Sequence, residues 1–452
     1  MNKTALTKTY TKDIQNSCLN SKKIVLSLAT ISFLASCANA TLNSEIKTYD
    51  EANKNPKARS ASVYSSQSSS NTTINKSLNS THTISGSNNT LIVESSGTIQ
   101  VSGNNNKAVD FTQGSSTTTF KNQGTLIGGS NAASVNLGTN NQNGATIETF
   151  TNEGIIGNGS SKFGVTVWGN SNNKSTINNF TNSGTIYSNT GESIYFGNAK
   201  ISSFANSGTI KSKQGAGVNI SQGTSIGNFN NSGTIEGKSM GVNVRSTIDT
   251  FVNDGLIAAT NNGIQINANV KTLTNKGTIK GDGISIRLNG TIDQLINEGI
   301  MDGKSAGIYM SRGRVKTLIN KGTINHTDGS VGWGAGIKLE SGSTIENIIN
   351  TGTVSSNGFG IAVTHGKFGT LTIKDGGMVY GKYEGIGVGQ WQTLGDLYID
   401  GSSSNGTVSG IYSDQRGISL DANSRTQKIE LKNGGIIKGK VHGIRLDNGA
   451  SL

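Results

Sequence analysis

The 452-residue chain carries a formal net charge of +12, and its 62 glycines stand against a single proline, Pro56. Only 32% of the residues are hydrophobic, yet Ile, Val, Leu and Phe recur on a regular schedule, which a flexible Gly-rich linker does not show. The positive charge is spread along the chain and lacks the concentrated basic face typical of nucleic-acid binding. We therefore expect many short strands and tight turns, and no nucleic-acid partner.

Residues 1–40 have the organisation of a signal peptide. Lys22 and Lys23 form a positive region, Ile24 to Leu34 form an apolar run too short to span a bilayer, and Ala38-Asn39-Ala40 offers small residues for cleavage. We therefore expect export. The following residues, 41–81, are rich in Ser, Asn, Thr and Lys and predict a flexible, disordered spacer.

A second interpretation of the cleavage site rests on Leu34-Ala35-Ser36-Cys37. This sequence matches a bacterial lipobox, in which the Cys thiol receives a diacylglyceryl group. Lipidation at Cys37 and ordinary signal-peptide cleavage both stay open, and a lipidated N-terminus with several acyl chains would anchor the protein in the outer membrane. Cys18 is the only other cysteine, so the exported part has no disulfide framework.

Beyond residue 82 the chain is built from one repeating unit, Phe/Leu-x-Asn-x-Gly-x-Ile. Successive glycines of the unit lie 22 to 30 residues apart, a period that fits one turn of a solenoid. We place Asp375 and Asn433 in the Asn position of the copies that start at Ile373 and Leu431. The other copies start at Phe120, Phe150, Phe180, Phe204, Phe229, Phe251, Leu273, Leu295, Leu318 and Ile348.

Two further signatures recur in each unit, Gly-Ile/Val-x-apolar, as in Gly241 to Val244, and Ile/Val-x-x-Phe/Leu, as in Ile248 to Phe251. Short alternating runs of this kind are strands with one face inside, so the sequence predicts an all-β, right-handed parallel β-helix over residues 82–452. Neighbouring coils of such a fold lie about 4.8 Å apart. We therefore expect stacked Phe and Leu side chains, a ladder of Asn side chains, and a positive φ at the glycine of each corner.

These Asn-x-Gly-x-Ile coils resemble the adhesin-like passenger domains of autotransporters, the type V secretion class, over roughly Leu91 to Leu452. The resemblance implies a non-catalytic protein of the outer membrane and cell surface, whose partners are a host cell-surface receptor, matrix or glycan, or neighbouring bacteria. With lipidation at Cys37 it implies the lipoprotein kind of autotransporter. The family also has a C-terminal β-barrel, whereas this chain stops just after Gly443-Ile-Arg-Leu446. We therefore expect a passenger truncated in mid-coil, either a fragment or the product of an interrupted gene, and a periplasmic location if the barrel is never made.

Two other classes stay open, a β-helical polysaccharide lyase or hydrolase and a vacuolating-toxin-like passenger. Glycan cleavage needs carboxylates that converge on one face. Asp249, Asp293 and Glu346 recur at one position of the coil, but Lys271 and Lys316 occupy it in the intervening coils, which predicts a solvated charged face. The four histidines are scattered without metal-ligand spacing, so we expect no enzyme, no metal and no cofactor.

Three tryptophans are the candidate ligand contacts. Trp168 and Trp391 both follow the Gly-Ile/Val-x-apolar signature and should share one edge of the β-helix, and Trp333 lies in an insertion between Asn325 and Ala335. Loops that project from a rigid scaffold often hold binding residues, and Trp is favoured in binding sites. The alternative is that each indole covers an apolar seam.

Overall fold

The computed structural model describes residues 70–328, 334–403 and 406–452. The predicted signal peptide, Cys37, most of the predicted spacer and Trp333 lie outside the described residues. Within them the chain is all-β, and three parallel sheets of 15 strands each form a parallel β-helix, as predicted. No helix that could cross a membrane occurs in this part of the chain.

Each coil contributes one strand to each of three sheets, named A, B and C in chain order. The strands of sheet A are Asn71–Ile74, Asn89–Val93, Ser116–Asn122, Thr146–Asn152, Ser175–Asn182, Ala199–Asn206, Ser225–Asn231, Thr247–Asn253, Asn269–Asn275, Thr291–Asn297, Arg314–Asn320, Ser343–Asn350, Gly366–Ile373, Thr393–Asp400 and Arg425–Lys432. Those of sheet B are Ser77–Leu78, Thr98–Gln100, Thr125–Ile127, Ile155–Ile156, Thr185–Ser188, Thr209–Ser212, Thr234–Gly237, Leu256–Ala259, Thr278–Gly281, Ile300–Gly303, Thr323–His326, Thr353–Ser356, Met378–Gly381, Gly410–Ser413 and Ile436–Gly439. Those of sheet C are His82–Ile84, Val109–Phe111, Ala133–Leu137, Phe163–Trp168, Ile194–Gly197, Val218–Ile220, Met240–Val244, Asn262–Ile266, Ile284–Leu288, Ala306–Ser311, Ala335–Glu340, Phe359–Val363, Glu384–Val388, Arg416–Leu420 and His442–Leu446.

The division of the signatures among the strands differs from the prediction in one respect. Ile248 and Phe251 of the Ile/Val-x-x-Phe/Leu signature belong to the same sheet A strand as Asn253. The third strand of the coil is instead the short run after the glycine, as in Leu256–Ala259. The β-helix also begins before residue 82, because Asn71–Ile74 and Ser77–Leu78 already pair with the following coil.

The core of the β-helix is a set of apolar columns, and the largest runs along sheet A. Phe120, Phe150, Phe180, Phe204, Phe229 and Phe251 are paired in register from coil to coil, followed by Leu273, Leu295 and Leu318. The rings of Phe150 and Phe180 stack at 4.4 Å, as do those of Phe229 and Phe251. All are buried. The predicted column is confirmed, and dispersion between identical side chains stabilises each step.

A ladder of buried asparagines runs beside this column at the end of each sheet A strand. Each Asn up to Asn320 donates a hydrogen bond from Nδ2 to Oδ1 of the Asn in the next coil, at 2.7–2.9 Å. Nδ2 of Asn275 also donates to the carbonyls of Gly277 and Ile300, at 3.2 and 3.1 Å. The predicted ladder is thereby confirmed, and its members are Asn122, Asn152, Asn182, Asn206, Asn231, Asn253, Asn275, Asn297, Asn320 and Asn350.

The ladder ends where apolar residues take the Asn position. Val93 precedes Asn122 in the register, and Oδ1 of Asn122 has no hydrogen-bond partner among the described residues. At the other end Asn350 pairs with Ile373. The placement of Asp375 and Asn433 in the ladder is therefore wrong: both lie beyond their sheet A strands at left-handed turns, with φ of 53° and 49°.

The glycine of the unit serves close packing, and the predicted positive φ at this corner is wrong. None of the described glycines from Gly124 to Gly352 that follow a ladder Asn by two residues has a positive φ. A Cβ at Gly277 would instead lie 2.1 Å from the carbonyl oxygen of Gly255, and the same distance recurs between Gly255 and Gly233. Only glycine lets the corners of neighbouring coils approach this closely.

We expect Asn275→Ala to lower the free energy of unfolding by about 1–3 kcal/mol, because it leaves the Nδ2 of Asn253 and the Oδ1 of Asn297 without their ladder partners. Asn122→Ala should cost clearly less, because Oδ1 of Asn122 is already unpaired and only one ladder bond is lost. Urea denaturation of both variants measures the difference. Equal losses would contradict a stabilising ladder.

We also expect Gly277→Ala to destabilise the protein by at least about 2 kcal/mol, because its methyl group would overlap the Gly255 carbonyl. Gly443→Ala is the control, since a Cβ there meets only the carbonyl oxygen of Ile437, at 3.5 Å. Thermal unfolding followed by circular dichroism compares the two. A Gly277→Ala variant as stable as Gly443→Ala would show that the corners are not close-packed.

Candidate functional site

One column on the outer face of sheet A alternates in charge. The register places Asp249, Lys271, Asp293, Lys316 and Glu346 at equivalent positions of successive coils. Nζ of Lys271 lies 2.5 Å from Oδ1 of Asp249, and this contact raises the pKa of Lys271. The predicted alternation is confirmed, and the carboxylates of the column are interleaved with cations.

A groove opens where this charged column stops. The two coils after Glu346 place Gly369 and Gly395 in the column, so no side chain projects there. A Cβ at Gly395 would lie 1.8 Å from the carbonyl oxygen of Gly369, which restricts the position to glycine. The resulting groove has a volume of about 570 Å³. It is lined by Arg314, Thr344, Ile345, Glu346, Lys367, Phe368, Gly369, Thr393, Gly395, Arg425 and Gln427.

One wall of the groove is a second column of sheet A, at the first outward position of each strand. It reads Arg314, Thr344, Lys367, Thr393 and Arg425 in five successive coils. A cation thus alternates with a threonine hydroxyl along the axis of the β-helix. Earlier coils place Ser, Thr, Asn and a single cation, Lys200, at this position, so basic residues are concentrated at the groove.

The groove carries an excess of positive charge. Its lining has three cations and one carboxylate, 3 − 1 = +2. Arg314 donates from Nε to Oε1 of Glu346 at 3.0 Å and also contacts it through Nη2. Lys367 and Arg425 are exposed and form no ion pair with any residue that the structure describes. Two cations are therefore available to an anionic ligand.

Trp391 stands at the edge of this groove. A smaller cavity of about 260 Å³ adjoins the first along Thr344, Lys367 and Thr393, and Trp391 and Gln392 line it. The indole is 73% exposed, and the residue has a φ of 63°. A left-handed conformation costs a bulky residue about 1–3 kcal/mol, and such strain tends to be kept where it serves a function. The structure thus presents an exposed aromatic ring in the cavity that Lys367 also lines.

The other two tryptophans are not at this site. Trp168 and Trp391 share the corner between sheets C and A, as predicted, but they belong to the fourth and thirteenth coils. Trp168 is half-buried, and its ring packs at 4.4 Å from that of Tyr195. Trp168 thus packs on a neighbouring aromatic side chain, and its role as a ligand contact stays a prediction. Trp333 lies outside the described residues.

Carboxylates with raised pKa values occur elsewhere in the last coils. Burial raises the pKa of Glu384, although Nη1 of Arg416 donates to its Oε1 at 2.8 Å. Burial and the neighbouring Asp447 raise the pKa of Asp421. Neither residue lines the groove. The described residues hold no group of three or more His, Cys, Asp or Glu side chains arranged for a metal ion.

The cations of the groove were missed by the sequence reasoning, although a signal for them exists. Arg314, Lys367 and Arg425 each precede the apolar column residue of sheet A by four positions, at Leu318, Leu371 and Ile429. Aligning the coils on that column would have placed the three cations in one line.

We expect Trp391→Gly to leave the stability unchanged or to raise it by up to about 1 kcal/mol, because glycine relieves the left-handed φ and little indole surface is buried. The same change at Trp168 should cost about 1–3 kcal/mol, because its packing against Tyr195 is lost. Chemical denaturation of the two variants tests this contrast. A Trp391→Gly variant as destabilised as Trp168→Gly would make Trp391 a packing residue.

Comparison with known proteins adds no functional assignment to this geometry. The fold is that of a parallel β-helix, which both adhesive passengers and polysaccharide-cleaving enzymes use, so the chemistry of the groove has to indicate its ligand. No protein-family model, no curated protein and no solved structure matches the chain significantly.

Proposed function

We propose that the chain is a non-catalytic, surface-exposed adhesive protein of the autotransporter-passenger kind, which attaches to host cells, their matrix or glycans, or to neighbouring bacteria. Export by the N-terminal signal peptide, and lipidation at Cys37 as the anchor in the outer membrane, are parts of the same proposal. They rest on the sequence of residues 1–40.

The observation that carries the proposal is the composition of the groove. Hydrolysis of a glycosidic bond ordinarily uses two carboxylates about 5–10 Å apart, and the lining supplies one, Glu346, which Arg314 already engages. The unpaired cations Lys367 and Arg425 and the exposed ring of Trp391 are contacts for a bound ligand. Binding without turnover is the function that this lining supports best.

The alternation of charge along sheet A supports the same conclusion. The carboxylates of Asp249 and Asp293 are separated by the ammonium group of Lys271, so this column presents no converging pair of acids. The β-helix holds its ligand contacts on one outer face at a fixed coil spacing. This preorganises the contacts, which favours binding to a ligand on another surface.

We expect beads coated with the purified chain to be retained on epithelial cells or on bacteria, and the same chain to leave hyaluronan, chondroitin sulfate and polygalacturonate intact. Retention is counted by microscopy against beads coated with the protease-digested chain, and cleavage is followed by new reducing ends and by the ultraviolet absorption of unsaturated products.

Each contrary outcome points to another class. Cleavage that Glu346→Gln abolishes would make the protein a glycan-degrading enzyme. Vacuoles in the treated cells would support the vacuolating-toxin-like alternative. Absence of retention on every cell and bacterial surface would contradict an adhesive role.

A further inference from the structure

The cations of the groove wall recur at every second coil. Arg314, Lys367 and Arg425 occupy one column, with Thr344 and Thr393 between them. Coils are about 4.8 Å apart, so successive cations are about 9.6 Å apart along the axis. That spacing is comparable to the length of one disaccharide in an extended polysaccharide. In a polysaccharide with one anionic group per disaccharide, each anionic group would therefore lie opposite one cation of the column.

The remaining contacts of the groove suit a sugar. Threonine hydroxyls at Thr344 and Thr393 alternate with the cations, and the amides of Gln392 and Gln427 lie on either side of the column. These groups can donate to and accept from sugar hydroxyls. Trp391 offers a flat, 73% exposed ring on which the C–H face of a pyranose can stack.

We propose that this groove binds a linear acidic polysaccharide, laid along the axis of the β-helix, with a carboxylate or sulfate group of successive disaccharides on Arg314, Lys367 and Arg425. The inference rests on the proposed adhesive function and names its ligand class. Arg314 remains bound to Glu346, so Lys367 and Arg425 provide most of the binding energy and Arg314 marks the end of the site.

Other polyanions fit the column less well. Duplex DNA carries one charge per about 1.7 Å of its axis, which is far denser than one cation in every two coils. Single-stranded nucleic acids are ordinarily held by several stacked aromatic rings, and the residues that line the two cavities offer only the exposed rings of Trp391 and His365, since Phe368 is buried. An acidic protein segment has no sugar ring that could stack on the indole of Trp391.

The test measures binding of the purified full chain to size-defined oligosaccharides by isothermal titration calorimetry at 50 and 300 mM NaCl. The probes are hyaluronan, which offers a carboxylate only, chondroitin sulfate, which offers both a carboxylate and a sulfate, and neutral dextran, with duplex DNA as the competing polyanion. We expect affinity to rise from the disaccharide to the hexasaccharide and then level off, to fall with salt, and to be absent for dextran.

Charge reversal identifies the site. We expect Lys367→Glu and Arg425→Glu each to weaken binding roughly tenfold or more. Lys200→Glu is the matched control, because Lys200 holds the same column position five coils before Arg314. Lys200 and Arg314 are therefore about 24 Å apart, well beyond the screening length of about 8 Å at physiological salt. The affinity of the Lys200→Glu variant should stay within about twofold of that of the parent protein. Trp391→Gly should also weaken binding while the protein stays folded.

Three results would overturn the inference: equal loss in Lys200→Glu and Lys367→Glu, binding of DNA tighter than that of either acidic polysaccharide, or no binding at 50 mM NaCl. The bead assay separates this failure from that of the adhesive function. Cell retention that survives both Lys367→Glu and Arg425→Glu would leave the adhesive function standing and refute the groove as its site. Oligosaccharide binding without any cell retention would leave the groove standing and refute the adhesive function.

Discussion

Hydrogen bonds between the side chains of buried asparagines set the geometry on which the rest of this β-helix depends. An Asn inside an apolar core is costly unless its polar atoms are paired. Each Nδ2 also donates to backbone carbonyls, as at Asn275 and Asn350, but a ladder bond to Oδ1 forms only if the next coil places another Asn at the same depth. From Asn122 to Asn350 that condition is met in every coil. The ladder therefore favours one register as well as one spacing, because a slipped coil would leave a buried Oδ1 without its donor.

Because the register is fixed, equivalent positions of successive coils align in columns on the surface. These columns bring the residues of the candidate site together. Where the outer position of sheet A carries Asp or Lys, the column neutralises itself, as between Asp249 and Lys271. Where glycines replace them, at Gly369 and Gly395, a groove opens beside the cations. The groove spans the end of the ladder: two of its five coils carry Asn320 and Asn350, and the other three lie beyond Asn350, where apolar residues such as Ile373 take the position.

The fold could be predicted from sequence because each coil repeats the same residues at nearly the same interval, so the apolar column and the ladder follow from periodicity. Two features, the role of the corner glycine and the groove, could not be predicted from sequence. The glycine corner looks the same in sequence whether it serves a positive φ or close approach, and only the 2.1 Å separation at Gly277 distinguishes them. The groove depends on side chains from five coils. Aligning the coils places Lys367 and Arg425 in one column, with Thr393 between them, but the opening beside that column at Gly369 and Gly395 is seen only in the structure. Trp391 was found in sequence because its residue type alone marks it.

Hydrogen–deuterium exchange across the chain, followed by mass spectrometry, tests the dependence on the ladder most directly. In the parent protein the coils between Asn122 and Asn350 should exchange slowly and cooperatively. Asn231→Ala should increase exchange in the coils on both sides of residue 231, because it breaks one bond to each neighbour, while the coils from Gly366 onward keep their protection. Protection that is unchanged beside residue 231, or lost uniformly along the whole β-helix, would contradict a structure whose register is held by the asparagine ladder.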